Sequence, residues 1–471
     1  MTELWAESAA ATVDRLHRGE VSPLELLDAL RQRIEAVDPA VNALPTRCFE
    51  RAAERARRLL RLPPEARGTL GGLPFPIKDS MEVEGVRTTW GSPIFADHVS
   101  GHSDWCVERL ESEGALVYAK SNTPEFEAGA NTFNEVFGAT LNPWNTARSA
   151  AGSSGGAAVA VATGMAWMAQ GSDLACSLRY PASFCGIVGL RPSPGLVASG
   201  PSTLPFDTLA VAGPLARSVE DVGLALDAMT GLEPRDPLSF AAGAQSYRAA
   251  ARQSRRPERV AASVDLGLTP VSAPVRAVFA AALGKLAAAG LAIEETAPDL
   301  GGAHEAFRVL RAVLFATGSA GLLERHRDKL KPELVWNIED GLRLDVATIG
   351  AAERSRGVLA LRMAEFLAEH RFLLTPTAIV PPYPVEQRWV AECEGQRFEN
   401  YLQWMSLGYA VTLTACPALS LPCGLTEDGL PVGLQIVGPP RGEAALLSFA
   451  HWAESVLGAS LIRPIDPRPG R

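Results

Sequence analysis

Three short segments carry residue types that could do chemistry together. The first is Ala151-Gly-Ser-Ser-Gly-Gly156, followed by a small-residue apolar run, Ala157 to Ala169, that reads as a helix. Glycine lets a backbone approach a ligand closely, and a loop of this kind entering a helix presents free N–H groups to an anion. Taken alone it reads first as a tight turn feeding a buried helix. The second is Gly171-Ser-Asp-Leu-Ala-Cys-Ser-Leu-Arg-Tyr-Pro181, a polar loop holding Asp173, Ser177 and Arg179 among apolar segments. Buried polar groups need partners or a purpose. The third is Gly72-Leu-Pro-Phe-Pro-Ile-Lys-Asp79, in which Lys78 ends an apolar, proline-stiffened run. On its own such a lysine is an ordinary surface residue at a strand end. A desolvated lysine, however, loses its proton more readily and can serve as a neutral base.

Other catalytic patterns are missing. There is no S-x-x-K, no H-E-x-x-H, no phosphate-binding loop and no dinucleotide fingerprint. Gly152-Ser-Ser-Gly-Gly156 formally fits a G-x-S-x-G nucleophile elbow, but the elbow needs a strand running into it, and Asn145–Ala150 is not strand-like. The seven His residues are dispersed; His98 and His102 are read as solvated. The seven Cys residues include no CxxC pair and no His/Cys cluster, which predicts free thiols in a reducing cytoplasm and no metal site. Cys176 adjoins Ser177, and a thiolate is the stronger nucleophile, but no His lies nearby in sequence to activate it.

The elements that must position these residues read as α/β. Ser22, Pro23 and Glu25 form a helix start, and Leu26, Leu27, Leu30 and Ile34 repeat at helical spacing. From Gly71 short apolar runs alternate with helical ones: Pro74–Ile77, a helix over Val107–Glu113, then a strand over Ala115–Tyr118. Helical patterns return at 217–230, 274–290 and 303–370. Strand-like Phe372–Leu374, Pro417–Pro422 and Pro431–Gly438 precede a closing helix near 443–457. Residues 232–258 are the best candidate for an exposed connection.

Composition sets the frame. The chain has 471 residues, 47% hydrophobic and 21% charged, enough for a large core and against global disorder. A net charge of -9 argues against a nucleic-acid-binding surface. Only five of the 44 basic residues are Lys (78, 120, 285, 329 and 331), so each invites a separate look. No secretory signal is visible at Met1–Ser8, and the Ala157–Ala169 run is too short to span a bilayer, which predicts a cytoplasmic protein without a membrane partner.

Taken together and in order, the three segments resemble the amidase signature family. Lys78, Ser153 and Ser177 stand where that family has its lysine, its middle serine after an unusual cis peptide, and its acyl-forming serine. Their separations, 75 and 24 residues, are close to those of family members. Lys120-Ser-Asn-Thr-Pro-Glu-Phe126, Asn142-Pro-Trp144, Phe184–Arg191, Leu374-Thr-Pro-Thr377 and Glu427–Gln435 agree. The resemblance implies one domain over 1–471: a helical segment at about 1–62, a core at about 63–230, a variable helical region at about 235–370 and a strand/helix part at about 371–460. It implies a single large α/β/α domain around a mixed, mostly parallel β-sheet with helices on both sides.

It implies an amide hydrolase without metal or organic cofactor, in which Ser177 attacks, Ser153 relays the proton to neutral Lys78, and the backbone N–H groups of Leu174, Ala175, Cys176 and Ser177 bind the oxyanion. Ser154, Asp173, Arg179 and Tyr180 would hold the loops or touch substrate. The substrate class expected is a small apolar or aryl amide, with carbamate or ester cleavage by the same triad, the A chain of a glutamine-dependent tRNA amidotransferase, and a silent binding protein as rivals. Homodimers are common in the family. Ala175 and Cys176 replace two usual glycines, and Ala150 and Ala151 replace Pro-Gly. These changes strain the backbone wherever the position needs positive φ, although main-chain donors survive them.

Overall fold

The computed structural model describes residues 3–458 and 463–470. Ser22 caps its helix as the sequence predicts: its hydroxyl accepts the Glu25 N–H, and the Glu25 carboxylate accepts the Ser22 N–H at 2.8 Å. The helix, Pro23–Val37, buries Leu26, Leu27, Leu30 and Ile34. With Ala9–His17 and Phe49–Leu59 it forms the helical N-terminal segment.

Fifteen strands follow in chain order among the described residues. They are β1 Thr46–Arg47, β2 Pro74–Lys78, β3 Leu116–Ser121, β4 Phe133–Asn134, β5 Gly138–Ala139, β6 Met168–Asp173, β7 Val188–Arg191 and β8 Val211–Ala216. The second half supplies β9 Arg259–Ala262, β10 Ala292–Glu295, β11 Leu373–Pro376, β12 Glu392–Cys393, β13 Gln396–Arg397, β14 Ala418–Leu425 and β15 Pro431–Val437. Eight of them form the main sheet in the order β10-β9-β11-β15-β14-β7-β8-β6, and β1-β3-β2 form a smaller one.

The main sheet is mixed, as expected, but it is not mostly parallel. Only β10–β9 and β9–β11 run parallel; the other five pairings are antiparallel. The physical reason is connection length. Parallel neighbours need a crossover, whereas β14 and β15 are joined by the turn around Asp428-Gly429, which permits only an antiparallel pair. Strands β2 and β6 and much of β7, β8, β14 and β15 are buried, consistent with cover on both faces.

The predicted helix over Ala157–Ala169 is shorter than the apolar run. It spans Gly155–Ala162, ends at Thr163 and Gly164 (φ 75°), and the remaining apolar residues enter β6. A fully buried strand and a buried helix have the same composition, so periodicity could not separate them. The stretch Gly171–Pro181 is likewise not all loop: it is the end of β6, a tight turn, and the start of the helix Arg179–Cys185. Residues 232–246 contain no regular element, and Tyr247–Arg252 is a short helix.

One apolar core runs from Ala9 to Ala453. The helix Ala303–His326, with the turn to Lys329, is long and apolar enough to cross a membrane by length and composition. In the fold it packs on the helices Pro332–Leu342, Val346–His370 and Ser406–Leu413.

Candidate active site

Strand β2 of the small sheet lies against β6, the edge strand of the main sheet. The Lys78 N–H donates to the Gln170 side-chain oxygen at 3.0 Å, stitching the two together. That junction sets the Lys78 side chain, which is fully buried, beside Ser172 of β6 and the loop carrying Ser153. The ammonium nitrogen donates to Ser153 Oγ at 2.6 Å and to Ser172 Oγ at 2.8 Å, and Glu127 Oε1 lies 2.5 Å away. An ammonium has three donors, and these are its three acceptors.

Ser153 follows a cis peptide bond to Gly152, as the resemblance implied. Its hydroxyl accepts from Lys78 and has no acceptor of its own among the described residues. Ser177 lines the same narrow cleft as Ser153 and Ser172. The Ser154 N–H donates to the Ser177 carbonyl at 3.2 Å, which ties the two serine loops together. Lys78, Ser153 and Ser177, 99 residues apart in total span, are therefore brought to one place.

The N–H groups of Leu174, Ala175, Cys176 and Ser177 donate to no protein acceptor among the described residues, and the next one, of Leu178, is bound by Asp173 at 3.0 Å. Leu174 and Ala175 line the cleft. Neither Ala175 nor Cys176 takes positive φ, so the two lost glycines cost this loop nothing there. Ala151 is different: its φ is 56°, a region that disfavours a side chain. Its strained backbone is held by a Ser149 hydroxyl accepting its N–H and a Thr132 hydroxyl donating to its carbonyl.

The supporting residues divide. Ser154 hydrogen-bonds both main-chain groups of Ser172, pairing the loop with β6. Asp173 is fully buried and bound by Arg179 at 2.9 Å and Arg191 at 3.4 Å. Burial pushes its carboxyl up, but the two guanidinium groups outweigh that and hold it below its ordinary range. Arg179 reaches the carbonyls of Ala175 and Gly408 and the side chains of Gln435 and Thr412, and is fully buried. Of the two roles open to Arg179, loop anchor or substrate contact, its bonds are those of an anchor. Tyr180 is also fully buried, packed near Trp404, and does not line the cleft.

Cys176 is buried, and burial pushes its thiol well above the ordinary range. Its side chain packs on Gly408, where an added Cβ would stand 2.6 Å from Cys176 Cβ.

Two residues of this cluster were not singled out from the sequence. Ser172 precedes the predicted Asp173 and, as its neighbour on β6, occupies the opposite face of the strand. Glu127 follows directly on the Lys120–Phe126 segment. Its Oε1 accepts from Lys78, from Ser80 at 2.9 Å and from Ser172. Phe126 and Glu127 both take positive φ, 45° and 58°, and that turn aims the carboxylate inward. No spacing rule links residues 49 positions apart in separate segments, so only the contact reveals it. Burial alone would raise the Glu127 carboxyl; Lys78 and the hydroxyl donors hold it low. For Lys78, burial is the largest influence and lowers its proton affinity, while Glu127 and Asp173 oppose it.

Phe126, Phe315 and Met405 make the cleft's apolar wall. Its free volume is about 50 Å³. Small-molecule pockets commonly run to ~300 Å³ or more, so the cleft as it stands is narrow. A wider surface groove, around Arg255, Arg256, Arg259 and Glu369, shares no residue with the cleft.

Residues 25–447 match the family model described as Amidase. The chain belongs to the amidase family. As an amidase it is a hydrolase of carbon–nitrogen bonds other than peptide bonds. It is 34% identical to an acylamidase of Rhodococcus erythropolis, over 98% of this chain and 97% of that one. It is 33% identical to the A chain of the glutamyl-tRNA(Gln) amidotransferase of Moorella thermoacetica, over 95% and 96%. Among solved structures, a bacterial aryl acylamidase superposes with a TM-score of 0.90 at 25% identity, covering 97% of each chain. The 6-aminohexanoate cyclic dimer hydrolase superposes at 0.87 with 27% identity, covering 97% of this amidase and 98% of that chain.

Proposed function

We propose that this amidase hydrolyses apolar or aryl amides through an acyl-enzyme on Ser177, with Ser153 as proton relay and Lys78 as base. The observation that carries this reading is the 2.6 Å bond from Lys78 to Ser153 beside Ser177 in one cleft. Deprotonated Lys78 takes the proton of Ser153, which takes that of Ser177 as its oxygen bonds to the carbonyl carbon. The proton returns by the same path to the leaving nitrogen as the C–N bond breaks. Water then attacks the ester carbonyl and gives a proton to the relay, which returns it to Ser177 Oγ as the ester C–O bond breaks and the carboxylate leaves.

Two features support the oxyanion role of the Leu174–Ser177 N–H groups. They have no competing acceptor among the described residues, and the buried trio behind them, one carboxylate with two guanidinium groups, carries an excess positive charge. The apolar wall and the acylamidase and aryl acylamidase relatives favour an apolar or aryl substrate. Carbamates and esters form the same acyl-enzyme and belong in the same screen. The 33% identical amidotransferase chain keeps a glutamine-dependent reading in view, which glutaminase activity with a partner protein would favour.

The test is hydrolysis of anilides, aliphatic amides, carbamates and esters, together with fluorophosphonate labelling. Ser177→Ala should lose both turnover and label. Full activity in that variant would sink the assignment.

A further inference from the structure

Arg311 lies on the helix Ala303–His326 and lines the cleft that holds Ser177. It is 4% exposed, yet no carboxylate lies within ion-pair distance of it among the described residues. Its Nη2 donates to the Tyr401 hydroxyl at 2.9 Å. Its Nε is buried without any acceptor, and its Nη1 makes no hydrogen bond among the described residues.

Other arginines buried near this core have a carboxylate or several carbonyls to answer their charge. Arg179 and Arg191 share Asp173, although Arg191 Nε and Nη2 also lack acceptors, and Arg217 reaches four backbone carbonyls; Arg311 has no carboxylate partner among the described residues. A buried guanidinium with most of its donors unused is costly unless something supplies the acceptors. The guanidinium carbon lies 4.4 Å from the centre of the Phe315 ring, which packs against it. The Tyr401 hydroxyl is held in turn by Asn337 at 2.5 Å. Glu127, the carboxylate of the cleft, is occupied by Lys78, Ser80 and Ser172 and does not neutralise Arg311. A planar fork of free donors, held rigid beside a nucleophile, is matched to a carboxylate.

We infer that Arg311 anchors a carboxylate carried by the substrate, so that the cleft takes amides bearing an anionic group on the acyl or the amine side. This rests on the reading of the cleft as the hydrolytic site, and narrows its substrate class. The apolar wall receives the body of the molecule, Arg311 its charged end, and Ser177 the carbonyl between.

The experiment uses two matched pairs: glutaric monoanilide against butyric anilide, and 4-acetamidobenzoate against 4-methylacetanilide. The first pair places the carboxylate on the acyl side, the second on the amine side. In wild type at least one carboxylated member should exceed its neutral partner in kcat/KM. Charge-assisted bonds of this kind give about tenfold to 100-fold. Arg311→Met should collapse that ratio through KM, and Arg311→Lys should restore part of it. Neutral members preferred in both pairs, or an Arg311→Met that lowers both members of a pair equally, would overturn the proposal. Calorimetric binding of the same four compounds to the wild type and to Arg311→Met reads the anchor without turnover. Should none of the four be hydrolysed, the hydrolase reading suffers, and Arg311-dependent binding of the carboxylated compounds still decides the anchor. Thermal unfolding of each variant establishes that it is folded.

Discussion

Replacing Glu127 by Gln tests how the proposed base, Lys78, is held. The structure places a carboxylate 2.5 Å from the Lys78 nitrogen, with 29% of the Glu127 side chain exposed. A lysine must lose its proton to serve as base, and a neighbouring anion opposes that loss. Two unit charges about 4 Å apart interact by ~4 kcal/mol at an effective dielectric of ~20. Partial exposure screens this, and a third of it, about 1.4 kcal/mol, is already a factor of ten in the protonation equilibrium. The sign is unambiguous. Gln keeps the size and an acceptor oxygen but removes the anion, so the ammonium form loses support and Lys78 deprotonates at lower pH. The acid limb of the kcat/KM profile should therefore move to lower pH by about one unit or more. On that limb Glu127→Gln should be about tenfold faster than wild type, with the two profiles converging at higher pH where Lys78 is neutral in both. Release of the amine from a chromogenic anilide, followed across the range where both proteins stay folded, gives the profiles. An acid limb that stays in place or moves upward would refute the reasoning.

Three further outcomes follow from the packing. Gly408→Ala places a Cβ 2.6 Å from Cys176 Cβ and 2.7 Å from the Ala175 carbonyl oxygen. Such overpacking costs about 1–3 kcal/mol and should shift the Leu174–Ser177 loop, lowering Tm and reducing kcat more than it raises KM. Asp173→Asn leaves Arg179 and Arg191 without their shared carboxylate; breaking a buried pair costs about 3–5 kcal/mol, read as a lower denaturant midpoint. Cys176→Ala should retain Ser177-dependent turnover, since the thiol is buried and pushed away from ionisation; loss of turnover with a folded protein would return the thiol to consideration.

Much of the candidate site was legible because its parts are local. Lys78 stood out as one of five lysines, ending an apolar proline-rich strand, and the Gly-Ser-Ser-Gly-Gly loop and the Ser177 turn became distinctive only when taken with it and in order. The element types were legible where periodicity is long, as in Pro23–Val37, and failed where a buried helix runs into a buried strand at Thr163-Gly164. The strand directions in the main sheet were misjudged because direction depends on which strands become neighbours, and neighbours such as β11 and β15 lie far apart in the chain.

The chain by itself supplied the candidate nucleophile, relay and base through the ordered resemblance of three segments to one family, while each segment alone had an ordinary structural reading. Tertiary structure decided what surrounds them. Glu127 meets Lys78 only because two positive-φ residues turn it inward beyond the end of β3. Arg311 reaches the cleft only because a distant helix is laid across it. Electrostatic influence depends on separation in space and on burial, and neither is written in separation along the chain.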